Sequence, residues 1–187
     1  MVHILNVDDL VKKAKEHYMH ALKLLDSGDI YDAAEKAWLA IETLRKAFLV
    51  AVGVPCEKTK SISYSLPLFN RLLRALGLRE LLRNYEFLYF KLHAMGFYEN
   101  ITPIEDLIHS IRVDTASWIK NMEVLINKVR GVNISNVLKD YDEVIKLKRE
   151  IIAKNVELMK LYQNINSSLS KLLEPIRISL TKDETSK

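Results

Sequence analysis

The chain has 187 residues, 49% hydrophobic and 28% charged, the proportions of a folded domain and not of a disordered one. Its 28 basic and 24 acidic residues leave a formal charge of +4, too small to make nucleic acid an obligatory partner. A single cysteine, Cys56, excludes an internal disulfide and a cysteine-only zinc site, and points to a reducing cytoplasm. No window approaches the ~18 apolar residues of a membrane span. Residues 1–10 hold two aspartates and no sustained apolar run, so no signal peptide is expected.

With only 5 Gly and 4 Pro, the chain should form few, long helices. Asn6, Asp8 or Asp9 can cap a first helix running to about Leu25, with Leu10, Ala14, Tyr18, Ala21 and Leu25 on its apolar side. The stretch Asp26-Ser27-Gly28-Asp29 is a tight turn, and Asp29 can cap the next helix. That helix, to about Gly53, carries so wide an apolar stripe (Ala34, Ala37, Trp38, Ile41, Leu44, Phe48) that it reads as the centre of a bundle. Val54 to Ile62 should be a loop.

A third helix is predicted from near Ser65, with Pro67 in its first turn, to Leu76. A fourth runs from Leu78 to about Met95, turning Leu82, Tyr85, Leu88, Tyr89, Leu92 and Met95 inward, and stops at Gly96. Phe97 to Asn100 is then a connector. Thr102, with Pro103 and Glu105, has the pattern of a cap for a fifth helix reaching about Lys128, with Ile104, Leu107, Ile111 and Trp118 inward.

After a break at residues 130–133, Ser135 caps one or two long helices. Tyr141, Val144, Lys148, Ile151, Asn155, Leu158, Tyr162, Ile165, Leu169, Leu172 and Ile176 follow a heptad rhythm. A dimerising coiled-coil arm and a helix folded back on the bundle, broken near Asn164 to Ser168, are both open readings. The predicted organisation is an all-α bundle of about five helices over residues 1–131. A C-terminal helical extension over 132–180 and a disordered tail over 181–187 complete it.

The chain lacks a P-loop, a dinucleotide-binding glycine pattern, a nucleophile elbow and an HExxH pair. His17 and His20 could face one metal, but two histidines at that spacing read as surface residues, and neither metal nor cofactor is expected. His109 and Arg112 share a helix face without evident purpose. Glu35, Trp38, Glu42 and Arg45 line one side of the second helix, where a ladder of ion pairs is expected in preference to a catalytic dyad. His93 sits at the margin of the fourth helix's apolar face. There it either bonds a neighbouring helix while neutral, or acts with Tyr98 as an acid/base group or anion contact. Residues 58–91 hold seven basic side chains (Lys58, Lys60, Arg71, Arg74, Arg79, Arg83, Lys91) against Glu80 and Glu86. That surplus makes Arg71, Arg74, Arg79, Arg83 and Lys91 candidates for anion or nucleic-acid binding, against the alternative of a solvated helix face.

Two stretches resemble the PaREP1 family of archaeal proteins: the small-acidic turn leading into Ala33 to Glu42 (AAEKAWLAIE), and Leu92 to Glu99 with its LHxxxFYE pattern. The resemblance spans about residues 7–130. It implies a HEPN-like, up-and-down bundle of about four or five helices, often dimeric, from a thermophilic archaeon. Active HEPN ribonucleases carry an arginine four to six residues before a histidine; here Arg83 and His93 are ten apart, about 15 Å along a helix. The expectation is therefore a non-catalytic homodimer that binds RNA, a nucleotide or a protein partner. A ribonuclease with a non-standard site, using His93, is the alternative.

Overall fold

In the computed structural model, residues 6–132 and 134–184 are described, and among them the structure is helical with no strand. Helix α1 (Val7–Asp26) begins with a reciprocal cap: the Asn6 side chain accepts from the Asp9 backbone N–H at 2.9 Å, and Asp9 accepts from that of Asn6 at 3.2 Å. Gly28, at φ +86°, turns the chain into α2 (Ile30–Ala51), where Asp29 holds the capping position but makes no side-chain cap bond. The two helices pack along their lengths as the predicted hairpin.

More than half of α2 is buried, including Ala33, Ala37, Ile41, Leu44, Phe48 and Leu49, which makes it the centre of the core, as its wide stripe predicts. Its alanines let neighbouring backbones approach, while each fully buried large side chain contributes ~1.5–3 kcal/mol.

The region expected to be a loop after Gly53 contains a one-turn helix, α3 (Cys56–Thr59). Helix α4 (Ile62–Ala75) starts before Ser65, so Pro67 lies inside it, past the first turn. Helix α5 (Arg79–Leu88) continues without a break into a π-helical stretch, Tyr89–Tyr98. Gly96 is therefore not the stop; the chain leaves the helix near Asn100, at φ +53°. The widened turn also redirects side chains: Met95 and Tyr89, expected inward, are exposed, as is Ile104. Pro103, not Thr102, precedes α6 (Ile104–His109), and the buried Thr102 hydroxyl donates to the Lys91 carbonyl at 3.4 Å. A second π-helical turn, Ser110–Asp114, joins α6 to α7 (Thr115–Val129). Helix α7 and the π-helical stretch after α5 both pack on α2, which closes the bundle around it.

The chain divides into two compact units after Asn136. In the second, α8 (Ser135–Glu184) is one helix of 50 residues, about 75 Å long, with no break at Asn164 to Ser168. The helix also includes residues 181–184 of the expected tail. Val144, Leu147, Ile151, Leu158, Leu161 and Ile165 are exposed along it. The side chains of Tyr162, Leu169, Leu172 and Ile176, expected on the same seam, lie outside the described residues.

Candidate binding cleft

On α2, Glu35, Trp38, Glu42 and Arg45 recur at helical spacing, so one flank presents a carboxylate, an indole, a carboxylate and a guanidinium in order. On α5 and its π-helical continuation, Tyr85, Tyr89 and His93 face them. His93 Nδ1 lies 2.7 Å from Glu35 Oε2, and the Tyr85 hydroxyl donates to Glu42 Oε1 at 2.5 Å. Trp38 sits between these two bonds. It stacks on His93 (5.6 Å between centroids, 29° between planes) and touches Tyr85 and Tyr89 at 5.3 and 5.4 Å. An ionised carboxylate only accepts, so His93 Nδ1 carries the proton in this bond, and Nε2 is the ring nitrogen left to meet other groups.

Arg45 is fully buried and is held on three sides. Nε and Nη2 donate to the two Glu42 oxygens at 2.9 and 3.0 Å, and Nη1 donates to Ser65 Oγ on α4 at 2.9 Å. Burial raises the Glu42 carboxyl, but the hydrogen bond and charge of Arg45, with the Tyr85 hydroxyl, outweigh it and hold the group below the usual carboxylate range. Burial, followed by the Glu42 charge, pushes the Tyr85 phenol well above its ordinary value, so it remains a donor. This is the ion pair expected of the α2 flank, extended by a tyrosine and a serine.

Between α2, α4 and α5 these groups floor a cleft of about 310 Å³. Tyr89 and Phe90 form exposed aromatic walls, at 39% and 55% of their surfaces, while Trp38 is only 5% exposed and lies beneath. Ile62, Leu66 and Asn70, spaced four apart on α4, supply the opposite wall. Asn70 Oδ1 is shielded from solvent and has no hydrogen-bond partner. Glu86 also lines the cleft, exposed.

The structure brings His93 and Tyr98 together edge-to-face at 4.8 Å. Arg71 and Arg74 are exposed on α4, and Arg79 and Arg83 are exposed on α5, on either side of the Gly77 turn. None of the four lines the cleft. Lys91 is tied to Asp106 at 2.7 Å and lies over the Phe87 ring at 5.9 Å. Among the described residues no cluster of three or more His, Cys, Asp or Glu could hold a metal, so His17 and His20 have no third ligand there. Arg112 bonds Asp26 of α1 at 2.7 Å, and the Tyr18 hydroxyl donates to the Ile111 carbonyl at 3.1 Å; both tie the hairpin to the α6–α7 region. His109 faces Asp114 at 3.7 Å.

Sequence reasoning does not single out Asn70 and Glu86, and it places Glu35 in the wrong partnership. Glu35 and His93 are 58 residues apart, and no local pattern links them. The spacing of Ile62, Leu66 and Asn70 is the one available sign that Asn70 shares an apolar wall.

The fold and cleft define an all-α bundle protein with an aromatic-walled cleft. The model of the archaeal PaREP1/PaREP8 family matches residues 9–114, and the chain belongs to that family. No curated protein and no solved structure matches it. No helix of the described residues is long and apolar enough to cross a membrane.

Proposed function

We propose that this chain is a cytoplasmic, non-catalytic binding protein that acts as a homodimer and takes single-stranded RNA on the outer ridge of α5. The observation that carries the reading is the alternation of cations and an exposed aromatic on that ridge. Arg79, Arg83 and Phe87 recur at four-residue spacing, with Lys91 Nζ over the Phe87 ring and Phe90 beside it. Cations that track phosphates beside rings on which bases stack are the shared device of proteins that hold single strands without reading their sequence. Arg74 is exposed across the Gly77 turn, on α4. Self-association is assigned to the exposed apolar seam of α8.

RNA binding should weaken as salt rises. Replacing Arg79 and Arg83 with Ala should lower the slope of log affinity against log salt by roughly one for each phosphate they neutralise. Binding that is indifferent to salt, or unchanged in the double variant, would overturn the reading. A second reading, RNA cleavage, has the Glu35–His93 bond in its favour, since a carboxylate that orients an imidazole leaves Nε2 as a base. It requires that RNA be cut and that His93→Ala abolish the cutting; intact RNA in the bound complex eliminates it.

A further inference from the structure

The cleft itself is chemically unlike the α5 ridge. Its hydrogen-bonding groups fall into two sets. Glu42, Arg45 and Tyr85 are satisfied by one another and by Ser65. The remaining polar groups that line the space are mainly acceptors. They are the Glu86 carboxylate, which has no ion pair among the described residues, and His93, whose Nε2 accepts whenever the ring is neutral; Asn70 also lines the space, with its Oδ1 unpartnered but closed to solvent. The permanent cation in the lining, Arg45, is fully buried and neutralised by Glu42.

A phosphate or carboxylate entering here would meet acceptors and an uncompensated negative charge. A ligand that is flat, positively charged and rich in N–H groups would meet complementary partners at each. Its face would lie against one of the Tyr89 and Phe90 rings, which stand at 68° to each other, since aromatic rings attract cations through their electron-rich faces. One N–H edge would pair with Glu86 in the fork geometry that guanidinium and carboxylate share, and another would reach Nε2 of a neutral His93. A volume of about 310 Å³ is at the small end of ligand sites, enough for a guanidinium and a short aliphatic stem.

We infer that the cleft between α2, α4 and α5 is a guanidinium-binding site, with Tyr89 and Phe90 as aromatic walls, Glu86 as the ion-pairing carboxylate and His93 beside it in the lining. The guanidinium belongs either to a free arginine-like small molecule or to an arginine side chain presented by another protein. This inference does not rest on the RNA reading, and the two are separable by charge.

The test is calorimetric titration of the full chain at fixed ionic strength. The probes are L-argininamide, its neutral ureido analogue L-citrullinamide, and an amidated Gly-Arg-Gly peptide. Saturable binding of argininamide is expected, with citrullinamide silent or at least about tenfold weaker, the cost of losing a charge-assisted pair. Glu86→Gln, an exposed substitution that leaves the buried network intact, should weaken argininamide about tenfold while leaving RNA affinity unreduced. Arg79→Ala with Arg83→Ala should do the reverse. Stronger binding of the free amide identifies a small-molecule site, and stronger binding of the peptide identifies a docking site for an arginine side chain. Absence of saturable heat, equal binding of the neutral analogue, or no effect of Glu86→Gln would each overturn the inference.

Discussion

Arg45 shows how one side chain can set the character of a site it does not expose. The sequence places it on the flank of α2 beside Glu42, but not the depth to which both sink or the Ser65 and Tyr85 bonds that complete them. A buried ion pair of this kind adds little net stability compared with an apolar substitute, because desolvation offsets the attraction. Breaking it is another matter. Arg45→Met alone would leave Glu42 charged, largely buried and short of its two strongest donors. Denaturant titration should then register a loss of about 3–5 kcal/mol. The double variant Arg45→Met with Glu42→Gln should recover most of that loss. A single-variant loss below about 1 kcal/mol would mean that water reaches Glu42 and the pair is not a closed unit.

At the scale of the element, the α5 continuation is where sequence and structure part company most instructively. Gly28, Gly53, Gly77 and Gly131 all adopt positive φ at helix ends, and each is legible as a stop. The same rule predicts a stop at Gly96, which is different: it stays helical because the absence of a side chain is needed for space. A Cβ there would run into the Lys91 carbonyl of its own π-helical turn and come within 2.8 Å of Leu107 Cδ2. Gly96→Ala should therefore destabilise the fold by roughly 1–3 kcal/mol, an overpacking cost, despite the better helix propensity of alanine. The thermal midpoint measures it, and a rise in that midpoint would show that α6 yields freely. The π-helical stretch also explains why periodicity assigns Tyr89 and Met95 to the core: a 3.6-residue period cannot forecast where a helix takes in an extra residue. Boundaries set by chemistry are more legible. Asn6 caps α1 as expected, while Pro67 misleads because α4 begins three residues before Ser65.

Taken whole, the molecule keeps its legible and illegible parts in different places. The α1–α2 hairpin, the central role of α2 and the C-terminal extension all follow from periodicity that local sequence carries. The cleft does not, since Glu35 meets His93 and Tyr85 meets Glu42 only once α2 and the long α5 stretch have docked. The self-association proposed above is assigned to the extension. A seam of exposed Val144, Leu147, Ile151, Leu158, Leu161 and Ile165 on a single helix is more apolar surface than a solitary helix usually leaves in water. On that proposal the full chain sediments as a dimer, and Ile151→Asp should convert it to monomer in sedimentation equilibrium while leaving the helical circular dichroism of the bundle unchanged. A dimer that survives the substitution would move the contact to the other unit.

The bundle's first and last helices are also joined, by Asp8 at the start of α1 and Arg130 just past the end of α7. Chain closure over that separation of 122 residues is entropically expensive, whereas the α1–α2 hairpin closes across a turn of three. The hairpin can therefore assemble from neighbouring residues early and at small cost. The Asp8–Arg130 clasp spans almost the whole bundle in sequence, so topology alone makes its closure slower than that of the hairpin.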